Sequence, residues 1–486
     1  MVAPDDEKSR LEEQLSLATG FNQALLRRVE EQSKLVEKQA KLVEQQAKKI
    51  EELTRQLNKN SSNSHKPPSS DTLGKRRSIR KAKKPTGKKR GGQPGHKGNA
   101  RAMLPEDQMD ALVDIFPDRC DVCQQVPPRT IDADASSHQV VDLVDHGRRC
   151  ITEYRCHTVV CPCGERLVAA TQNVPSSAFG LRLQSTVCMF TGAYHLSRRQ
   201  VTVVFREIFG IEMSLGSVSN IEKRMSKALE AASDEAMTCV ESAAVKHVDE
   251  TSWIRDAERC SAWVFACVAA SVFRIVADGR RDTFRKLLRR QRGILVSDRA
   301  SVFLFWSMKQ RQICWAHLIR TFVDFSQRDG PAVAVGEELK DTAELVFRYW
   351  RDLGTGKLSR SDFDRLMTAL RTGMKSCLQR AVEEEIEYVS GSCANMLEHW
   401  DAMWTFVEKP GVEPTNNHAE RELRRLVLWR KRCFGSQSER GDRFAERIMT
   451  VTHTLRKQGG CALDFLHSSL VATLDSSHAP SLFAAA

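Results

Sequence analysis

Tyrosine is scarce in this chain, at 4 of 486 residues, and aromatic residues together make up 7%. Long apolar runs are missing as well. The longest uncharged apolar stretch is the fourteen residues between Arg259 and Arg274, short of the roughly 18 to 20 that span a bilayer, so no transmembrane helix and no membrane partner is expected. The opening Met1-Val-Ala-Pro-Asp-Asp-Glu-Lys has neither a basic n-region nor an apolar h-region, which gives no signal for secretion and leads to the expectation of a cytoplasmic protein. Proline is absent from residues 8 to 59, and acids nearly so from Lys66 to Arg101, where Asp71 stands alone against thirteen Lys and Arg. What is present is ordinary for a folded chain, 41% hydrophobic and 28% charged, with length for about three domains at about 150 residues each. The formal net charge is +12. The stretch from 66 to 101 carries that whole excess, so the implied partner is a polyanion met by an arm.

Residues 8–59 carry a seven-residue internal repeat, Leu35-Val-Glu-Lys-Gln-Ala-Lys41 followed by Leu42-Val-Glu-Gln-Gln-Ala-Lys48. Val29, Val36, Val43, Ile50 and Leu57 recur at intervals of seven, as a coiled-coil seam requires. The companion row, Leu25, Gln32, Gln39, Gln46 and Leu53, is half polar. A weak coiled coil that makes a homo-oligomer is expected. Residues 60–101 are rich in Ser, Asn, Pro, Gly and basic side chains and cannot bury a core, so they read as a flexible basic linker. Lys75, Arg76, Arg77, Arg80, Lys88, Lys89 and Arg90 are its candidate phosphate contacts.

Fifteen cysteines in a reduced chain favour metal ligands or buried thiols over disulfides. Residues 102–175 hold the two close pairs, Cys120 with Cys123 and Cys161 with Cys163. Two such knuckles on a small β framework would bind one structural Zn²⁺ tetrahedrally. The second pair is one residue short of the usual gap, and Cys156 or His157 is the candidate substitute ligand. Residues 176–240 are expected to be helical. Leu196 to Ile211, a Gly-containing turn and the Ser214-capped stretch to Arg224 fit a helix-turn-helix, with Ser217, Asn220 and Arg224 as candidate DNA contacts.

Two short apolar runs end in an acid: Ala243-Ala-Val-Lys-His-Val-Asp249 and Gly293-Ile-Leu-Val-Ser-Asp298. Each reads as a core strand that delivers a carboxylate at its C-terminal end. Trp263 to Ala277 supplies two further strands and Asp282 to Arg290 a helix, and this order is the beginning of a ribonuclease-H-like core with the first and last strands side by side. Two hard cations about 3.5 to 4 Å apart, clamping a phosphoryl transfer, need a third carboxylate. Glu420 is the best candidate, on a helix that starts after Pro414 with Thr415 or Asn416 as its cap; Arg421, Arg424 and Arg425 lie nearby to meet phosphates. Glu422 points elsewhere on that helix. Cys314-Trp-Ala-His317 reads as a strand-to-helix connection lining the site rather than a nucleophile and its base, since nothing supplies an acyl substrate.

In order, the motifs Asn60-Ser-Ser-Asn-Ser-His-Lys-Pro-Pro-Ser-Ser-Asp71, Gly91-Gly-Gln-Pro-Gly-His-Lys-Gly98, the cysteine pairs, His247-Val-Asp-Glu-Thr251, Val296-Ser-Asp-Arg299, Cys314-Trp-Ala-His-Leu-Ile-Arg320, Pro414-Thr-Asn-Asn-His-Ala-Glu-Arg421 and Phe434-Gly-Ser-Gln-Ser-Glu-Arg-Gly441 resemble those of transposases of the insertion sequence 66 family, which are DDE enzymes. The resemblance runs nearly end to end. It implies Asp249, Asp298 and Glu420 as a metal-binding triad for Mg²⁺ or Mn²⁺, two ions per site, and a helical insertion at about 325–410 within a catalytic core at 241–450, followed by a helical tail at 451–486. It implies double-stranded DNA, both terminal inverted repeats and target, as substrate and partner, accessory proteins of the same element, and a bacterial, nucleoid-associated location. The expected fold is multidomain: coiled coil, zinc-binding β module, helical DNA-binding region and an α/β ribonuclease-H-like core. Two alternatives stand beside it, a non-enzymatic zinc-containing DNA-binding regulator and a ribonuclease-H-like nuclease without strand transfer.

Overall fold

The computed structural model describes residues 4–59, 63, 64, 105, 107, 158–160, 166–168 and 177–483. They group into two compact units, Met1–Lys81 with Trp315–Glu398, and Ala82–Cys314 with His399–Ala486. The basic run from Lys66 to Arg101, with all seven of its candidate phosphate contacts, and the candidate zinc ligands Cys120, Cys123, Cys156, His157, Cys161 and Cys163 lie outside the described residues.

The first unit opens with α1 (Pro4–Asn58). At about 1.5 Å per residue this helix is roughly 80 Å long. Its seam stands in solvent, from Val29 at 59% exposed to Leu57 at 80%, because Glu, Lys and Gln fill the rest of the surface and leave only one narrow apolar row. The C-terminal turn is tied within the unit by Arg55, 4.0 Å from Asp324, and just beyond the helix the Asn63 amide donates to Gln327 at 2.8 Å.

In the second unit β1 (Thr158–Val160) and β2 (Arg166–Val168) form an antiparallel hairpin in which Val160 faces Arg166. Four helical segments come next. α2 (Leu181–Cys188) passes into a π-helical turn at Met189–Ala193. α3 (Arg198–Phe209) begins with a capping box, Ser197 with Gln200, and stops at Gly210 in the left-handed conformation. α4 (Leu215–Ala228) is capped by the Ser214 hydroxyl, and α5 (Glu230–Ser242) leads into the sheet.

The sheet has five strands in the order β5-β4-β3-β6-β7. They are β3 (Val245–Arg255), β4 (Glu258–Ala266), β5 (Ser271–Val276), β6 (Ile294–Ser297) and β7 (Arg311–Ile313), with α6 (Arg281–Leu287) between β5 and β6. The hairpin pairs are antiparallel, whereas β3–β6 and β6–β7 are parallel. Residues Cys260 to Ala266 of β4 are all buried, as expected of a strand covered on both faces.

From Trp315 the chain re-enters the first unit with α7 (Trp315–Ser326), α8 (Pro331–Gly354), α9 (Arg360–Glu383) and α10 (Ser390–Glu398). α7 and α8 approach closely at Gly336, where a Cβ would collide with the Phe325–Ser326 backbone. The second unit is completed by α11 (Trp400–Met403), α12 (Thr405–Glu408), α13 (Asn417–Cys433), α14 (Glu439–Lys457) and α15 (Ala462–Leu474).

α14 closes the open edge of the sheet. An edge strand presents unpaired N–H groups that invite association; here the side chains of Thr454, Thr450 and Glu446, one helical turn apart, accept from the backbone N–H of Ser271, Phe273 and Ile275 at 3.2, 3.1 and 2.5 Å. Burial raises the Glu446 carboxyl above the usual carboxylate range, against the pull of Arg443 and Arg274.

Candidate active site

The parallel register aligns the candidate acids. Val245, Lys246 and His247 of β3 pair with Ile294, Leu295 and Val296 of β6, an offset of 49, which is also the separation of Asp249 and Asp298. Continued two residues past the last pair, that register sets the two aspartates at one level on neighbouring strands, which run about 4.8 Å apart. The β6–β7 offset is 16, from Leu295 paired with Arg311, so Cys314 falls at the same level, and its N–H donates to Ser297 O at 2.8 Å. Because side chains alternate between faces with period two, His247, Asp249, Val296, Asp298, Gln312 and Cys314 share one face.

One detail corrects the sequence reading. Asp249 is not at a strand end: β3 runs on to Arg255 because its other edge stays paired with β4 out to Arg255–Glu258. Only the β6 side opens after His247, and that leaves Asp249 half-buried. Asp298 follows the last residue of β6. Its carboxylate accepts from Ala300 N at 2.9 Å, and its carbonyl accepts from the buried Arg311 guanidinium at 3.0 Å. Burial lowers Arg311 to about 10, against the pull of Asp298.

The face that carries these residues is covered by the segment leading into α13. The Gln312 amide donates to Met403 O at 3.2 Å, and its oxygen accepts from Phe406 N at 2.7 Å. Asn416 is the N-cap residue of α13, yet its side chain makes no capping bond, contrary to the expected role. The amide is already used. Its nitrogen donates to Val248 O at 2.8 Å, and its oxygen faces His247 Nδ1 at 3.1 Å. With the oxygen as acceptor, His247 must carry its proton on Nδ1. The Asn416 N–H points to Cys314 Sγ at 3.1 Å. Four residues on, Glu420 N donates to Asn416 O at 3.1 Å, so Glu420 sits in the first turn above that anchor, with a carboxylate oxygen within 4.8 Å of Cys314 Sγ. Glu420 therefore lies beside Cys314, which the strand register sets level with Asp298. Among the described residues the three carboxylates are not a group whose ligand atoms all lie within 4.8 Å of one another.

Behind this layer is a second polar cluster. The His247 and His418 rings lie 5.0 Å apart. Burial, then the charge of its neighbour, lowers each imidazole to about 4, the neighbour being His418 for His247 and Lys457 for His418. Lys457 Nζ meets His418 Nε2 at 2.7 Å. Glu422 is bonded to His453 at 2.5 Å and lies 3.5 Å from Lys457. Burial works to raise Glu422, but the His453 hydrogen bond and the charges of His453 and Lys457 hold it at about 2. Glu422 is thus committed to α14.

The candidate DNA contacts divide. Arg421, Arg424 and Arg425 are exposed on α13. Asn220 is exposed on α4. Ser217 spends its hydroxyl and N–H on Ser214 at 3.0 Å each. Arg224 is partly buried, with Nη2 donating to Ser177 at 3.2 Å. One face of α4 packs inward, burying Val218, Ile221, Met225 and Ala228.

The roles of Asn416, His247 and Gln312 were missed in the sequence. Two signals were there to find: His247 occupies the alternate position to Asp249, and the spacings of 49 and 16 are the strand registers themselves.

Two family models match the chain. The family model described as Transposase IS66 family matches residues 177–443, more than half of the chain, and one described as Family of unknown function (DUF6444) matches residues 6–102. No curated protein matches the chain. The chain belongs to the IS66 family of transposases. Among the described residues no helix is long and apolar enough to cross a membrane.

Proposed function

We propose that this transposase cleaves DNA at the ends of a bacterial insertion sequence and joins the freed strands to a target, using Asp249, Asp298 and Glu420 on a ribonuclease-H-like core. The observation that carries the reading is the coincidence of the 49-residue separation with the β3–β6 register, joined to the anchoring of Asn416 on β3 one helical turn before Glu420. Three carboxylates suit hard divalent cations such as Mg²⁺ or Mn²⁺, and phosphoryl transfer at such sites commonly uses two. Bound there, the ions supply Lewis-acid activation of the phosphodiester and of the attacking oxygen. The protein groups orient that chemistry. Arg311 and Ala300 N hold the Asp298 main chain and carboxylate, Asn416 fixes the start of α13, and the exposed Arg421, Arg424 and Arg425 offer charge to the DNA backbone.

The outer parts take the remaining roles in this proposal. The basic stretch 60–101 contributes sequence-independent affinity. The 102–175 module holds one Zn²⁺ through Cys120, Cys123, Cys161 and Cys163, with Cys156 or His157 as substitute; in sequence Cys161 and Cys163 fall between the paired strands β1 and β2. The α1 seam joins copies of the chain, as its exposed Val and Ile row favours.

The test uses the full chain with duplexes that carry the element's terminal repeats and a target plasmid. Strand cuts at the repeat ends that require Mg²⁺ or Mn²⁺, followed by covalent joining, are the expected result. Cleavage without joining would leave a nuclease. Binding without any cleavage would leave the regulator.

A further inference from the structure

We propose that Tyr194 and Phe434, with Arg432 and Arg456, form a stacking platform for unpaired DNA bases, at the opposite end of α13 from the carboxylates. The inference rests on the transposase reading and adds a second contact for the same substrate.

Phe434 ends α13 at φ 59° and ψ 23° with its side chain 80% exposed. Helices that stop in this left-handed conformation usually place Gly or Asn there. The next residues impose the backbone path: Gly435 has φ 92° and abuts the Ile254 carbonyl, Ser436 N donates to Ile254 O at 2.9 Å, and Asp256 N donates to Ser436 O at 2.9 Å. A bulky ring is therefore held out in solvent at a position that would suit glycine.

A second loop does the same beside it. The π-helical turn Met189–Ala193 leads to Tyr194, 50% exposed, and to His195 at φ 58°. His195 packs on Trp429 with ring centres 5.1 Å apart. Consecutive residues of α13 tie the loops together, Arg432 donating to Tyr194 O at 3.1 Å and Cys433 Sγ reaching His195 O at 3.6 Å. The Arg456 guanidinium lies 5.8 Å from the Tyr194 ring. Arg424, Arg425, Lys431 and Arg432 are exposed, and no acid occurs in the sequence between Glu422 and Glu439, the exposed Asp256 approaching only as far as Ser436 through its backbone. Aromatic faces interleaved with cations recognise nucleic acid by stacking plus phosphate attraction. Paired bases hide their faces within the duplex, so the rings call for bases that are not paired. From Glu420 to Phe434 the helix rises about 21 Å, roughly six base steps at 3.4 Å each, which sets the platform that far from the cut.

The experiment titrates the full chain, without divalent metal and at fixed salt, with a fluorescent duplex and with the same duplex carrying a short mismatched bubble that contains 2-aminopurine. The expected result is a roughly tenfold preference for the bubble and quenching of the 2-aminopurine. Phe434→Ala and Tyr194→Ala should lose most of both while binding paired duplex as before, and Phe434→Trp should retain them. Phe434→Asn, which tolerates the left-handed backbone, removes the ring without adding strain and should match Phe434→Ala. Duplex binding with no preference for the bubble, or a preference unchanged in Phe434→Asn, overturns the platform and leaves the transposase reading standing. Failure to bind any DNA overturns both.

Discussion

The two ends of α13 are fastened to the same strand by different means, and the difference separates a part that must be placed from a part that must be reached. At the N-terminal end the fastening is dry and polar: the Asn416 amide on Val248 O and His247, and the Asn416 N–H on Cys314. Each of these groups is buried, so a lost partner leaves another polar atom unsatisfied, and the arrangement tolerates little movement. At the C-terminal end Arg430 grips Ser252 and Thr251 and the chain turns back through Gly435, while Phe434 and the arginines beside it face solvent. The first end carries Glu420 beside Cys314. The second presents rings and charge.

The largest effect expected from breaking this contrast is at the carboxylates. Asp249→Asn, Asp298→Asn and Glu420→Gln keep shape and remove charge, and each should lower metal-dependent cleavage by about three orders of magnitude with DNA binding retained; double variants should be scarcely worse, since groups that act as a unit are non-additive. Gel assays of cleavage and binding on the same preparations check this. Glu422→Gln, by contrast, should spare the chemistry and weaken the fold, because Glu422 serves His453 and Lys457.

Next in size is Asn416→Ala, which strands Val248 O and His247 Nδ1 and should cost about 1–3 kcal/mol in a urea titration. The same cluster sets an acid limit. His247 and His418 are held at about 4 when folded and return towards 6.5 when unfolded. Both states are neutral above 6.5, and between 6.5 and 4 the unfolded chain binds more protons, so stability falls as pH falls through that window. Glu422, held at about 2, titrates below it when folded. Urea midpoints at several pH values across the window measure the decline, and a flat profile would contradict the buried neutral pair. The smallest change is expected at the other end. Phe434→Gly should leave the midpoint unchanged or raise stability by at most about 1 kcal/mol, since glycine adopts the left-handed conformation freely.

Much of the core was legible because its strands are short apolar runs bounded by acids. The pairing of β3 with β6 follows from the strand, hairpin, helix, strand order and the short apolar runs before Asp249 and Asp298, and the helix that carries Glu420 from Pro414 before it. What could not be read was where side chains spend their hydrogen bonds. Asn416 looked like an N-cap by type and position, but tertiary partners on β3 outcompete the local bond. Asp249 looked like a strand terminus because the run turns polar there, yet the antiparallel partner β4 carries the strand on for six more residues. Arg224 reads as a groove contact on a helix-turn-helix pattern, while its guanidinium bonds to Ser177; nothing local to α4 announces that partner.

In the proposed site three carboxylates separated by 49 and 122 positions hold metal together. Loading the full chain with Fe²⁺ in place of Mg²⁺ and adding ascorbate generates radicals that cut the backbone next to the bound ion, and the fragments can be mapped by mass spectrometry. The expected result is cuts near Asp249, Asp298 and Glu420 in one sample, all three lost together in Asp249→Asn and in Glu420→Gln. Cuts near the aspartates that persist in Glu420→Gln, with none near residue 420 in the unmodified chain, would contradict it.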